Sequence, residues 1–497
     1  TTETDTPQSP QYLQKNVGQV FLCANKDLTF DFFGIDKTII GSKRIRCTFD
    51  PIENTIKNGG SVLVYVSKSK IYNKKILNKF SKYIDLCTPI EDEKIDDYIE
   101  KLKSYTGGET NITKSHYSLL LALLKRGIVI HHGSLPLHTR LLIEQFTKEG
   151  FCRICFATST LEQGINMPFD VVFLDRIERS KPLSVKNIIG RAGRSSTNGN
   201  FDFGYVIINS STRISDFRFI MTHEEHLDEK SLLEIESDLD DDYNDFKEAI
   251  VNNTYSDEYN LSEKDLIKLT SPNTNEIIRN VLNSLFKNTE FISLSELSND
   301  QDNRLSLYQH FVDLYSNYLG RQLQPAEINV FNTAIKIILW KVHGKTFKNI
   351  CWYRYAYASK SQDRLFLEKQ GLNTDNIEAS FFTGYSDLPN KNLNIYSLFP
   401  IGTKAKNVDY DLIMYDTYDF VDKLIGFKLS DILYASFYKY FEVSNDDRSL
   451  KLAKYIKYGT DNERLIWMLK YGMSFEDIDI LNKHILQIDE KEIVFKK

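Results

Sequence analysis

The feature that most constrains this chain is an alternation of short apolar runs with small polar loops near its middle. Arg153 to Ala157 is apolar, β-branched and aromatic, as expected for a buried strand. A polar loop from Thr158 to Pro168 follows, and a second apolar run covers Val171 to Leu174. Continuous apolar strands of this kind are typical of a parallel sheet whose two faces are both covered by helices. The pattern predicts an α/β domain.

A segment rich in glycine and arginine follows the second run. A helix is predicted to carry Asn187, Gly190, Arg191, Gly193 and Arg194. The two arginines are three positions apart, so on a helix they would share a face. Two guanidinium groups with a nearby amide suit a transferring phosphoryl group, because arginine offers a fixed fork of donors and a constant charge. The segment therefore predicts a phosphate-binding surface.

Two upstream apolar runs also end in small or polar residues. Val62 to Val66 is followed by Ser67, and Ile128 to Ile130 is followed by a loop that contains Gly133. Parallel α/β sheets bind ligands at the carboxyl ends of their strands. Ser67 either contacts a phosphate or caps the next helix, and the two roles are compatible. Gly133 and the helix after it are expected to bind a backbone phosphate.

Two residue pairs resemble metal ligands, but no metal site is predicted. His131 and His132 point to opposite sides of a strand and have no carboxylate close in sequence. Cys152 and Cys155 are also expected on opposite faces of a strand, and no second pair follows them. Core packing is the prediction for both cysteines.

Length and charge set wider bounds. The 497 residues have room for several domains, and six cysteines form no disulfide framework. Residues 1–210 contain 28 Lys and Arg against 22 Asp and Glu, a net charge of +6, whereas residues 211–497 contain 34 against 46, a net charge of −12. The basic half suits a polyanion. No signal peptide and no long apolar run occur, so no membrane partner and a cytoplasmic location are expected.

Four ordered motifs resemble those of superfamily 2 helicases, most closely the Ski2-like group. ATSTLEQGINMP from Ala157 and IIGRAGR from Ile188 resemble motifs V and VI. SVLVYVSKSK from Ser61 and HHGSLPLHTR from His131 resemble motifs IV and IVa. One departure is Asn187, which stands where many of these enzymes have glutamine.

The resemblance implies a fold, cofactors and residue roles. Residues 17–210 would form a RecA-like domain after a linker or cut edge at 1–16. Residues 211–300 would be a winged-helix-like or linker region, and 301–497 a helical accessory domain. The implied nucleic-acid contacts are Thr158 and Ser159, added to Ser67 and Gly133 above. The implied nucleotide-binding residues are Gly164, Asn166, Asn187 and Gly190, with Arg191 and Arg194 as catalytic residues that stabilise γ-phosphate charge.

Two motifs of a complete motor do not occur in the sequence. The phosphate-binding loop motif GxxxxGK[ST] and the acidic motif DExH or DExD are both missing from the sequence. The tripeptide Gly344-Lys345-Thr346 resembles the end of the phosphate-binding loop, but Leu339 stands where the motif needs its first glycine. We expect a turn between helices there. ATP and Mg²⁺ would then be bound mainly by a first RecA-like domain. That domain is expected in the same chain before Thr1 or in another chain, unless hydrolysis has been lost.

The expected function is ATP-dependent translocation on, or unwinding of, single-stranded or partly duplex DNA or RNA. This chain alone is expected to be inactive. The helicase subunit of a Hachiman-type antiphage system, with an effector subunit as partner, is one candidate. The alternative is a non-catalytic, helicase-derived module that binds nucleic acid or protein.

Overall fold

A computed structural model gives the arrangement of most of the chain. It describes residues 18–35, 45–114, 116–161, 167, 169–193, 203–223, 252, 254–256, 258–359, 408–473 and 478–496. The chain divides into two compact units, Thr1–Asp228 and Glu229–Lys497. The further division of the second part at residue 300 stays a prediction. The acidic stretch at 237–246, for which the sequence predicts either a solvated face or a mobile loop, lies outside the described residues.

The first unit is built on an eight-stranded sheet. Its strands are β1 Gly18–Ala24, β2 Phe30–Phe32, β3 Ile45–Arg46, β4 Val62–Tyr65, β5 Ile128–His131, β6 Ile154–Ala157, β7 Val171–Leu174 and β8 Phe203–Ile208. Their order across the sheet is β3-β2-β1-β8-β7-β4-β6-β5. The six strands from β1 to β5 in this order pair in parallel, and β2 and β3 add an antiparallel edge. The predicted parallel α/β domain is confirmed.

The parallel strands end in register. Tyr65 lies beside Ala157 and Leu174, Ala157 lies beside His131, and Leu174 lies beside Ile208. All residues of β4, β5, β6 and β7 are buried, which explains their continuous apolar sequences. The loops that follow these strands therefore leave the sheet along one edge.

Short helices connect the strands of this unit. They are Pro51–Lys57, Lys68–Tyr72, Lys75–Lys79, Ser81–Leu86, Glu93–Thr106, Leu119–Leu124, Leu137–Lys148, Pro182–Ile189 and Ile214–Thr222. The periodicity from Lys70 to Tyr105 predicts helix throughout, but the structure has four helices there. Lys74 takes a left-handed φ of 58° between the first two, and Pro89 falls in the gap before the last. Local breakers therefore divide the predicted helix into four, and each of the four buries apolar side chains.

Aromatic side chains attach these helices to the sheet. The buried ring of Phe80 lies 5.7 Å from Phe156 on β6 and 5.0 Å from Phe173 on β7, both edge-on. A fully buried phenylalanine contributes about 1.5–3 kcal/mol through the surface that it removes from water. The helices after β4 are thus held against the central strands.

The second unit is mainly helical, as predicted. Its helices are Glu263–Lys268, Pro272–Leu285, Leu294–Asn299, Gln301–Leu319, Pro325–Val342, Phe347–Ser359, Tyr410–Asp419, Ser430–Ser444, Asp447–Tyr458, Glu463–Lys470 and Ile478–His484, with a π-helix at Phe420–Leu429. One core cluster includes Ile278 and Leu307, so it continues across residue 300. No helix among the described residues is both long and apolar enough to cross a membrane.

The Gly344-Lys345-Thr346 tripeptide forms the predicted turn between two helices. It follows the helix that ends at Val342, and Gly344 has a φ of 70°. The Lys345 N–H donates to the Trp340 carbonyl at 2.9 Å. This backbone closes a helix end and gives no phosphate-binding loop between a strand and a helix.

Candidate functional site

The structure brings four sequence-predicted residues to the carboxyl edge of the parallel sheet. Ser67 follows β4, Gly133 follows β5, and Thr158 and Ser159 follow β6. Ser67 occupies the N-cap position of the helix Lys68–Tyr72, and its side chain makes no cap hydrogen bond. Since β4, β6 and β5 are neighbours, these residues share one surface.

The loop that begins at Thr158 is held against β5. The Thr158 N–H donates to the His131 carbonyl at 3.1 Å, and its side-chain oxygen lies 3.4 Å from that of Thr160. Thr158 is 7% exposed, whereas Ser159 is exposed. A short 3₁₀ turn, Ser159–Leu161, follows Thr158. Of the two predicted contacts in this loop, Ser159 is the one that faces solvent.

A buried His–Glu pair supports the loop from below, and sequence reasoning missed it. Thr160 Oγ1 lies 3.2 Å from His131 Nδ1, and His131 Nε2 lies 3.1 Å from Glu144 Oε1. His131 is fully buried, and Glu144 is 9% exposed. Glu144 interrupts the apolar face of the helix Leu137–Lys148, and a charge at such a position was the available sequence signal.

The second histidine of the pair packs in the interior. His132 is fully buried, and its Nδ1 accepts from the Ser134 N–H at 3.2 Å. Its ring lies 5.6 Å from that of Tyr72. Within the described ranges, no three His, Cys, Asp or Glu side chains come together in a way that would hold a metal ion.

Arg191 lies beyond the end of its helix. The helix spans Pro182–Ile189, and Gly190 is its C-cap. Gly193 has a φ of 78°, a left-handed conformation that ends helical geometry and favours glycine. The expectation that Arg191 lies on a face of this helix was therefore wrong, because the helix ends at Ile189.

The Arg191 side chain turns inward to the Thr158 loop. It is 8% exposed, and its Nη2 donates to the Leu161 carbonyl. Leu161 is the last residue of the 3₁₀ turn that follows Thr158. A hydrogen bond thus joins the segment of the predicted phosphate-binding arginines to the predicted nucleic-acid loop.

The backbone around Arg191 is fixed from three sides. Phe169 N–H donates to the Arg191 carbonyl at 3.0 Å, and Gly193 N–H donates to the Phe169 carbonyl at 2.7 Å. Gln19 Nε2 on β1 donates to the Ile189 carbonyl at 3.0 Å. Gly204 on β8 lies so close that a Cβ there would be 2.5 Å from the backbone of Gly193. Position 204 therefore requires glycine, because any side chain there would collide with the backbone of Gly193.

The remaining predicted nucleotide-binding residues are only partly described. Asn187 is exposed on the helix Pro182–Ile189, and Gly190 is partly exposed. Gly164, Asn166 and Arg194 lie outside the described residues. Their assigned roles stay predictions.

A lysine pair at the same edge was not singled out from the sequence. Asp175, just after β7, accepts from Lys70 Nζ at 2.6 Å and from Lys79 Nζ at 3.2 Å. Lys79 also donates to the Asn209 side chain. Burial lowers the pKa of the Lys79 ammonium group, and the Asp175 carboxylate opposes this shift. The Asp175 carboxylate thus holds the helices after β4 to the end of β7, and Lys79 links them to Asn209 after β8.

The cysteine pair packs in the core, but not on opposite faces of a strand. Both side chains are buried. The Cys155 thiol donates a hydrogen bond to Cys152, and this bond together with burial raises the pKa of the Cys155 thiol. The pair is in contact because β6 starts only at Ile154, so Cys152 precedes the strand.

Comparison with known proteins identifies the class to which this region belongs. Residues 92–196 match the helicase conserved C-terminal domain. This stretch contains β5, β6, β7, the Thr158 loop and Arg191. This region of the chain therefore resembles the C-terminal domain of superfamily 2 helicases, and the similar proteins support a likeness to the Ski2-like group.

Individual relatives support the same assignment. The chain is 30% identical over 190 residues to the ATP-dependent DNA helicase Hel308 of Caldivirga maquilingensis, which is 35% of this chain and 24% of the relative. It is 29% identical over 163 residues to the antiviral helicase SKI2 of Saccharomyces cerevisiae, covering 30% and 12% of the two chains. It is 35% identical over 112 residues to the Hachiman protein HamB of Bacillus cereus, covering 22% and 10%. The chain spans a quarter or less of the length of these relatives.

Proposed function

We propose that this chain supplies the second RecA-like domain and the accessory domains of an ATP-dependent nucleic-acid helicase or translocase. The supporting observation is the loop Thr158–Leu161. Its first residue is bonded to the sheet edge, and its last carbonyl accepts from Arg191. The nucleic-acid side and the phosphate side of the proposed site are therefore parts of one hydrogen-bonded unit.

The nucleic-acid backbone is proposed to lie along the carboxyl edge of the sheet. Ser67 and Ser159 are partly or fully exposed there and carry hydroxyl donors suited to phosphate oxygens. Gly133 offers its backbone without a side chain in the way. Thr158, which is nearly buried, fixes the loop that presents Ser159. The net charge of +6 over residues 1–210 favours a polyanion at this surface.

The nucleotide is proposed to lie between this domain and a first RecA-like domain. That partner domain would bind ATP and Mg²⁺ through its own phosphate loop and acidic motif. Gly164, Asn166, Asn187 and Gly190 would approach the nucleotide from this side. Arg194 would stabilise charge on the γ-phosphate, and such an arginine acts most strongly when that charge redistributes. Arg191 was expected to share this role, but its buried guanidinium group donates to the Leu161 carbonyl, so we propose that it holds the Thr158–Leu161 loop instead.

We further propose that the helicase acts in defence against phages. This proposal is supported by the similarity to the Hachiman protein HamB and to the antiviral helicase SKI2. An effector subunit would then be a further partner. Infection of cells that carry the intact gene, or the gene with Arg194→Ala, tests this role, and equal phage titres on both would refute it.

The proposed site is tested by single-strand binding to the 497-residue chain. We expect affinity for labelled single-stranded DNA or RNA to fall steeply with salt, as release of counterions requires. Ser159→Ala should weaken binding severalfold. Ser61→Ala is the matched control, because Ser61 is a partly exposed serine directly before β4, at the opposite end of the strands.

Two results would contradict the proposal. An affinity that does not change between low and high salt would favour a protein-binding module, which is the competing function. Equal effects of Ser159→Ala and Ser61→Ala would rule out the carboxyl edge as the binding surface.

A further inference from the structure

Two hydrogen bonds support the Thr158–Leu161 loop through the side chain of Thr160. Thr160 Oγ1 contacts His131 Nδ1 at 3.2 Å, and His131 Nε2 contacts Glu144 Oε1 at 3.1 Å. The three residues come from the loop, from β5 and from the helix Leu137–Lys148. A hydrogen-bonded chain therefore runs from this helix, across the sheet edge, to the loop.

The partners fix the direction of these hydrogen bonds. An ionised Glu144 only accepts, so His131 Nε2 carries the proton between them. In the neutral ring, Nδ1 is then an acceptor, and the Thr160 hydroxyl donates to it. A valine at 160 would leave a buried ring nitrogen without this donor, whereas a serine would keep the donor.

The loop also approaches β5 very closely at this point. A Cβ on Gly133 would lie 3.1 Å from Thr160 Cγ2, so the glycine leaves just enough space for the threonine. His131 is fully buried and cannot itself touch a nucleic-acid strand. Its effect on binding has to pass through Thr160.

We propose that Glu144 and His131 form a brace that holds Thr160, and with it the Thr158–Leu161 loop, in the conformation that binds the strand. His131 and Glu144 are positioning residues in this proposal. The part that concerns strand binding rests on the proposed function, whereas the part that concerns loop order does not.

The test compares three variants of the 497-residue chain. Thr160→Val removes the hydroxyl and keeps the branched shape, and Thr160→Ser keeps the hydroxyl. Thr139→Val is the control, because Thr139 is fully buried on the same helix as Glu144 and its hydroxyl has no hydrogen-bond partner among the described residues. Two quantities are measured for each: hydrogen exchange of the 154–161 segment by mass spectrometry, and affinity for labelled single-stranded DNA and RNA.

We expect Thr160→Val to speed exchange at the loop and to weaken strand binding, each by about fivefold to tenfold, as the loss of one buried hydrogen bond implies. Thr160→Ser should restore both quantities to within about twofold of wild type. Thr139→Val should change neither. If Thr160→Val fails to fold while Thr160→Ser folds normally, the need for the hydroxyl is still demonstrated.

Unchanged exchange in Thr160→Val, or equal losses in the Val and Ser variants, would overturn the brace. Faster exchange in Thr160→Val with a wild-type chain that binds no strand would support the brace and refute the proposed function. Faster exchange with unchanged strand affinity would overturn the proposed link between loop order and binding.

Discussion

Replacing Arg191 by alanine tests whether one buried hydrogen bond joins the two halves of the site. The guanidinium group is 8% exposed and donates through Nη2 to the Leu161 carbonyl. A hydrogen bond that involves a charged group contributes about 1.5–3 kcal/mol, and its removal also leaves a buried carbonyl without this donor. We expect Arg191→Ala to lower the free energy of unfolding of the first unit by about 2 kcal/mol.

The distribution of two residue types allows each unit to be followed separately. The three tryptophans are Trp340, Trp352 and Trp467, all in the second unit. Five of the six cysteines, Cys23, Cys47, Cys87, Cys152 and Cys155, lie buried in the first unit, and Cys351 is buried in the second. In a urea titration, thiol labelling therefore reports mainly on the first unit and tryptophan fluorescence on the second.

The expected result is a shift in one signal only. With a slope near 2 kcal/mol per molar urea, a loss of about 2 kcal/mol moves the thiol midpoint down by about 1 M. The tryptophan midpoint should not move. Arg191→Lys should recover part of the loss at most, because an ammonium group lacks the planar fork that reaches Leu161.

Arg213→Ala is the matched control. Arg213 is exposed and pairs with Asp216 at 3.0 Å, and such surface pairs contribute about 0–1 kcal/mol. If Arg191→Ala and Arg213→Ala shift the thiol midpoint equally, Arg191 does not hold the loop, and the proposed connection between the two sides of the site is refuted.

Three further predictions use the same chain or the complete enzyme. The 497-residue chain should release phosphate from ATP at the background rate with or without DNA or RNA; stimulated turnover that Lys345→Ala abolishes would show that the Gly344 turn binds phosphate after all. In the complete enzyme, Arg194→Ala should reduce turnover about 10³–10⁵-fold at an unchanged melting temperature, Arg194→Lys should restore little, and normal turnover in the alanine variant would disprove the catalytic role. Burial lowers the pKa of His116, so the unfolded chain binds the proton more tightly; stability of the first unit should fall as pH drops from the ordinary value near 6.5 through the lowered folded pKa. His116→Asn should reduce this pH dependence in thiol-monitored unfolding, because asparagine does not titrate, and it also tolerates the left-handed φ of 65° at this position. An unaltered pH dependence would show that His116 is not its cause.

The parallel sheet was predictable because its signal is local. A strand buried on both faces needs apolar side chains at every position, so Val62 to Tyr65 and Val171 to Leu174 are visible as continuous runs. The polar residues after these runs were predictable as an edge for the same reason, since parallel strands place all their carboxyl ends together. Motif resemblance added the helicase family, which the match over residues 92–196 supports.

Helix ends were less predictable, because they depend on single residues and on neighbouring chain segments. The sequence predicts a helix that continues through Arg191, but the helix ends at Ile189, and Gly193 takes a left-handed φ where its backbone lies against Gly204 of β8. The same limit applies to Cys152, which lies two residues before β6 begins at Ile154. A window of sequence contains the propensity for an element but not the contact that stops it.

What the sequence determined by itself was the order of strands and loops and the chemistry gathered at the strand ends. What only the tertiary structure decided was which of those side chains support one another. Thr160, His131 and Glu144 are separated by 13 to 29 positions, and Arg191 reaches a carbonyl 30 positions earlier. No periodicity connects such residues, because their contacts arise from how β5, β6 and the chain after Ile189 pack around the sheet edge. Hydrogen bonds across those distances form only once the sheet has assembled.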